Sequence, residues 1–173
     1  QGTGLDRGSD ALGRPAAVGR HTGVGLGREV LLPVVPHLGH GVVVDVGLGD
    51  GAKGDEHDAA DLVEYLNAPD DGTNLNGGTD WARERSRNGH PQPYHVKYFE
   101  IGNEDWHGDH KKIREVPAQE YGRRYLKYYD AMKAVDSSIQ IGAIFCACIP
   151  EWDKPVARLI KDKIDFAVVH VYL

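Results

Sequence analysis

Asn103 and Glu104 directly follow the apolar run "YFEIG" within "YFEIGNEDWHG", residues 98–108. A core strand does not favour a carboxylate at its tip, and a solvent loop needs no strand ahead of it. The stretch is therefore suited to holding one carboxyl still. Glycoside hydrolysis has such a need: one carboxyl gives a proton to the leaving oxygen, and another attacks or activates water. The donor must keep its proton near neutral pH, which desolvation or a neighbouring negative charge achieves. An adjacent amide can bond a sugar hydroxyl, and that bond strengthens as the ring turns cationic. The plainer alternative is a salt-bridged glutamate at a loop start, and residue type alone favours it.

Three other groupings could carry chemistry. Gly49, Gly51 and Gly54 in "GDGAKG" have the G-x-G-x-x-G spacing that lets backbone N–H groups approach a dinucleotide pyrophosphate. Asp50 would stand beside those phosphates, and no second acid-tipped strand follows promptly, so a loop built on turn glycines is the better reading. "HGDH", His107 to His110, lacks the i, i+4 spacing that sets two imidazoles on one metal, and His57 lies elsewhere. Surface histidines without a metal are expected. Cys146 and Cys148 in "FCACIP" are too close in sequence for an easy disulfide and have no partners for a metal site, which favours buried thiols at a strand end.

The elements that would position Glu104 alternate in type. Residues 1–41 show neither helical nor strand periodicity, and Pro33 interrupts their one apolar run, "EVLLPVV". From Val42 the pattern changes. "VVVDVGL" suits a strand buried on both faces, and "DEHDAADLVEYLNA" places Ala59, Leu62, Val63 and Leu66 at helical spacing. "HVKYFEI" supplies a second strand. A long helix runs from about Pro117 to Val135, with Tyr121, Tyr125, Tyr128, Met132 and Val135 as a core stripe. "SIQIGAIF", "KPVARLIKDK" and "IDFAVVHVY" read as strand, helix and strand. Such alternation predicts an α/β fold with a parallel sheet, either doubly wound or a (β/α) barrel. In both, chemistry belongs just after a strand, where Asp45, Asn103, Glu104, the Cys146 region, His170 and Tyr172 fall.

The 173 residues carry a formal net charge of −6 and no long basic run, which points away from a nucleic-acid partner. "ARERSR" and "HKKIR" read as solvated surface. No apolar run approaches the ~20 residues that span a membrane, and the N-terminus has no signal-peptide pattern.

"GHPQPYHVKYFEIGNEDWHG", with "DLVEYLNAP" upstream, closely resembles glycoside hydrolase family 51, the α-L-arabinofuranosidases. The resemblance implies a (β/α)₈ barrel in which this segment ends the fourth strand, with Glu104 as acid/base and Asn103 on the sugar 2-hydroxyl. "DFAVVHVY" is similar to the sixth strand, whose end brings a His and a Tyr to the site, here His170 and Tyr172. "VVVDVGLGDG" is similar to the third, where the family often has Asn at the position of Asp45. Trp106 is the best-placed sugar platform, while Trp81 and Trp152 are better explained by core or rim packing. Residues 42–173 would thus be a partial catalytic barrel, about strands three to six, behind an irregular segment 1–41. Within that segment "RPAAVGRHTG" hints at the family's loop and helix before strand three, and a reading-frame error would explain its composition.

A whole barrel takes about 250 residues and eight strands. By the family pattern the nucleophile carboxylate belongs after strand seven, so the chain alone is expected to be inactive. The implied activity is retaining hydrolysis of terminal arabinofuranosyl groups in plant oligo- or polysaccharides such as arabinan and arabinoxylan, without metal or cofactor. A homo-oligomer is compatible with the complete enzyme. The nearest rivals are other retaining glycosidases with Asn-Glu after strand four, such as a glucuronidase or endoglucanase, and, from another class, a nucleotide-binding α/β domain.

Overall fold

The computed structural model describes residues 43–48, 54–106 and 115–170. Four strands, β1 (Val43–Val46), β2 (Tyr98–Ile101), β3 (Gln140–Phe145) and β4 (Phe166–Val169), form one sheet. All neighbours are parallel, and the order in space is the order in sequence, β1-β2-β3-β4. Parallel neighbours need crossovers, and helices α1 (Glu56–Asn67), α3 (Ala118–Val135) and α4 (Pro150–Ile160) occupy them. Helix α3 packs between α1 and α4. The α/β parallel sheet is as the alternation predicted.

The tyrosine stripe of α3 faces the sheet: Tyr121, Tyr125 and Met132 are fully buried, joined by Phe99, Ile101 and Ile141. A buried phenol needs a partner. Tyr125 donates to Ile141 O at 3.1 Å. Tyr121 donates to Ile101 O at 2.7 Å and accepts from Ile144 N at 3.1 Å, tying the tips of β2 and β3 together. Pro117 precedes the helix, where its missing N–H leaves no bond unmade.

Three expectations change. A further helix, α2 (Trp81–Arg87), lies within the stretch expected to be solvated surface. Asp80 caps it by accepting from Arg83 N, and Arg85 turns inward to become fully buried. The last helix starts earlier than expected, with Pro150 in its first turn and Pro155 inside it. Cys146 and Cys148 are disulfide-bonded, with Cα atoms 5.1 Å apart, and are not buried thiols. They lie beyond β3, where Ala147 adopts a left-handed φ of 59° and brings the flanking side chains together. Cys148 is exposed.

Gly49, Gly51 and the "HGDH" histidines lie outside the described residues. At the start of α1, the Asp55 carboxylate accepts from His57 N (2.8 Å) and Asp58 N (3.2 Å), while Asp58 accepts from Asp55 N. A capping carboxylate already occupies these donors and would repel a phosphate, which counts against the nucleotide-binding alternative.

Candidate active site

The tip of β2 is shaped by backbone geometry. Gly102 donates from its N–H to Val46 O at 2.9 Å and turns the chain with φ 85°, a conformation open to glycine. A Cβ there would overlap Asp105 Oδ2 and lie 3.2 Å from the Tyr121 ring. Glu104 itself is left-handed, with φ 55°, unusual for a side-chain-bearing residue and the kind of local strain found at functional sites. The turn leaves Asn103 exposed and Glu104 partly buried.

His170 follows β4, where its N–H donates to Phe145 O at 3.1 Å. Its Nδ1 lies 2.8 Å from Glu104 Oε1, with both side chains about one-fifth exposed. The chain thus brings together two expected residues that lie far apart in sequence. Trp106 also reaches this pair but does not present a platform. It is 3% exposed and packs edge-on against His170 (centroids 5.3 Å) and Trp152 (5.8 Å). With its faces covered it braces the imidazole, a correction to its expected stacking role. Trp152 is core, donating to Val116 O, and Trp81 opens α2 with its backbone N–H on Glu64. Tyr172 lies outside the described residues.

Three more carboxyls surround this pair. Asp45 and Glu100 are register partners on β1 and β2, so both point to one face of the sheet. Asp45 is exposed. The surrounding protein, with Glu100 beside it, pushes its carboxyl up to about 6, and His170 pulls the other way. Glu100 is raised by burial, again opposed by His170. Asp105 is pushed up to about 7 by burial and the Asp45 charge, against the Asn103 N–H and Arg124. Of these, only Asp45 stood out from sequence. Glu100 hides inside a strand pattern, and Asp105 carries no signal beyond its place beside Glu104. Among the described residues no three His, Cys, Asp or Glu side chains converge as a metal would require.

These raised values have a consequence for folding. Between about pH 4 and 7 the native chain holds protons at Asp45 and Asp105 that the unfolded chain has released. Stability from these groups therefore falls as pH rises through that window. Urea unfolding at pH 5 and pH 8 should show a smaller loss of stability for Asp45→Asn with Asp105→Asn than for the parent chain; an equal loss would contradict the assignment.

The α-L-arabinofuranosidase 1 domain matches residues 17–172, reaching into the segment that carries no periodicity. An exo-α-(1→6)-L-arabinofuranosidase of Bifidobacterium longum is 30% identical over 132 residues, 70% of this chain and 22% of that protein. An intracellular exo-α-(1→5)-L-arabinofuranosidase of Acetivibrio thermocellus is 30% identical over 123 residues, 66% of this chain and 22% of that one. Among solved structures, a Thermotoga maritima α-L-arabinofuranosidase in complex with arabinose has a TM-score of 0.60 at 32% identity, covering 73% of this chain and 23% of that chain. A family 51 α-L-arabinofuranosidase from Bifidobacterium longum has a TM-score of 0.62 at 28% identity, covering 78% of this chain and 25% of that chain. The chain spans between 22% and 25% of the length of these relatives. With the domain match running from residue 17 to 172 and the fold in agreement, the chain belongs to glycoside hydrolase family 51, the α-L-arabinofuranosidases.

Proposed function

We propose that this chain is the acid/base-bearing part of a retaining α-L-arabinofuranosidase. The observation that carries the proposal is the 2.8 Å contact between Glu104 Oε1 and His170 Nδ1, which reach each other from beyond β2 and β4 across the tip of β3, inside a family 51 match. The sequential parallel strand order supports reading β1 to β4 as strands three to six of a (β/α)₈ barrel, since a doubly wound sheet reverses its order at a switch point.

In this scheme Glu104 protonates the glycosidic oxygen as the bond to the anomeric carbon breaks. A carboxylate from a further barrel strand attacks that carbon and forms a glycosyl-enzyme ester. Glu104, now ionised, removes a proton from water, which displaces the ester and restores both groups. His170 holds the carboxyl in place through Nδ1, and Trp106 braces the imidazole edge-on. Asn103 is exposed beside Glu104 and can reach the sugar 2-hydroxyl, and Tyr172 is assigned to substrate binding by the family resemblance alone. The scheme runs without metal or organic cofactor, and a homo-oligomeric complete enzyme is compatible with it.

The substrate class we assign is the terminal α-L-arabinofuranosyl group of plant oligo- and polysaccharides such as arabinan and arabinoxylan. The names of the relatives, exo-acting on (1→5) and (1→6) linkages, support it. Two displacements invert the anomeric carbon twice. The complete enzyme should therefore release α-L-arabinofuranose first, as followed by proton NMR of an aryl α-L-arabinofuranoside digest. The β-anomer appearing first would refute the double displacement.

A further inference from the structure

Asp105 has no part in the acid/base scheme, yet it is built into the turn that delivers Glu104. Its carboxyl lies against the Cα of Gly102, where any Cβ would overlap Oδ2. The backbone N–H of Asn103 lies near enough to the same carboxyl to favour its ionised form. The carbonyl oxygen of Asp105 accepts from Val116 N at 2.9 Å, which ties the turn to the approach of α3. Oδ2 is buried and, among the described residues, has no hydrogen-bond partner. An arrangement that leaves one buried oxygen unbonded is unfavourable by itself, so something else is served by it.

We propose that Asp105 is a positioning residue for Glu104: its carboxyl, wedged over Gly102, and its carbonyl, bonded to Val116 N–H, fix the left-handed backbone at Glu104 and so aim that side chain at His170. This proposal rests on the acid/base reading of Glu104 for its catalytic consequence, though not for the geometry itself. The groups facing Asp105 are Asp45 from β1, and Arg124 and Tyr121 from α3. Burial and the Asp45 charge hold its carboxyl near about 7, so a neutral amide resembles a form that the native residue already populates. What should matter is the shape of the side chain and its place over Gly102, not the charge.

Three variants separate these contributions. Asp105→Asn keeps the shape of the side chain. Asp105→Glu keeps the charge, but its extra methylene finds no room over Gly102. Asp105→Ala removes the group over Gly102. In the 173-residue chain, long-range proton–nitrogen spectra report the state of His170 Nδ1, its resonance identified by its loss in His170→Gln. The Ala and Glu variants should move that resonance to where Glu104→Gln leaves it, and Asn should keep it in place. In the complete enzyme, kcat on a phenyl arabinofuranoside should fall about 10²-fold for Ala and Glu, as misplacing a catalytic group does, with KM little changed. Asn should recover it to within several-fold.

A parent-like resonance and kcat in both Ala and Glu would overturn the proposal, as would an Asn variant as impaired as Ala. If Ala fails to fold by near-UV circular dichroism, the contrast between Asn and Glu decides alone. Unchanged hydrolysis in Glu104→Gln would remove the glycosidase reading, while the His170 resonances would still decide the role of Asp105.

Discussion

Glu104→Gln should slow hydrolysis of alkyl and phenyl α-L-arabinofuranosides by about 10²–10⁴-fold in the complete enzyme, the contribution usual for a positioned general acid. The amide has the same shape and sits at the same strand tip, so substrate binding should change little. The size of the effect should depend on the leaving group. A dinitrophenolate departs without a proton, so kcat/KM for that substrate should stay within several-fold of the parent. Its turnover should nevertheless stall, because water attacking the ester intermediate still needs a base. Azide needs no deprotonation, and adding it should restore turnover and yield the arabinofuranosyl azide of retained configuration. Equal slowing for phenyl and dinitrophenyl substrates would remove Glu104 from the acid role.

Arg85→Ala should produce the largest loss of stability. The guanidinium is fully buried and serves four backbone carbonyls. Its Nη1 donates to Tyr65 O and Ala68 O at 2.8 Å, Nε to His90 O at 3.0 Å, and Nη2 to Pro91 O at 3.1 Å. Tyr65 O belongs to the last turn of α1, and Ala68 O lies at its C-cap, where helical carbonyls lack internal donors. Truncation would leave these oxygens buried and unbonded and open a cavity, which together cost about 3–5 kcal/mol. For a chain of this size that corresponds to a fall in melting temperature of roughly 10 °C. Arg85→Lys should recover only part of it, since one ammonium cannot follow the planar fork. A loss below about 1 kcal/mol for Arg85→Ala, measured by urea unfolding, would mean that water replaces the side chain.

Parallel strands announce themselves as β-branched and aromatic runs, which is why β1 to β4 were readable, although β1, expected to be buried on both faces, is half exposed, as is β4. Helix α3 was equally plain, because the Tyr121–Tyr125–Tyr128 spacing leaves one face for the core. Glu104 and His170 stand out in the sequence because each closes such a run with a polar group, and the structure places their side chains 2.8 Å apart. Arg85 was misread because a short helix of alternating charge has no apolar period, and its burial depends on carbonyls that only the fold assembles. The disulfide was missed for a local reason: strand geometry was assumed through Cys148, whereas β3 ends at Phe145 and Ala147 is left-handed. Trp106 was judged from its distance along the chain to Glu104. Its burial comes from Trp152 and His170, which arrive from α4 and β4.

The side-by-side placement of Asp45 and Glu100 bears on which sugars the site tolerates. Together with Asp105 they make the ground around Glu104 anion-repelling whenever they ionise. A uronic acid brings its own carboxylate into that field, and like charges at short range are a strong means of exclusion. A neutral pentose meets no such barrier, so under the proposed function the carboxyls of these strands would favour an arabinoside over a glucuronide before any hydroxyl is recognised.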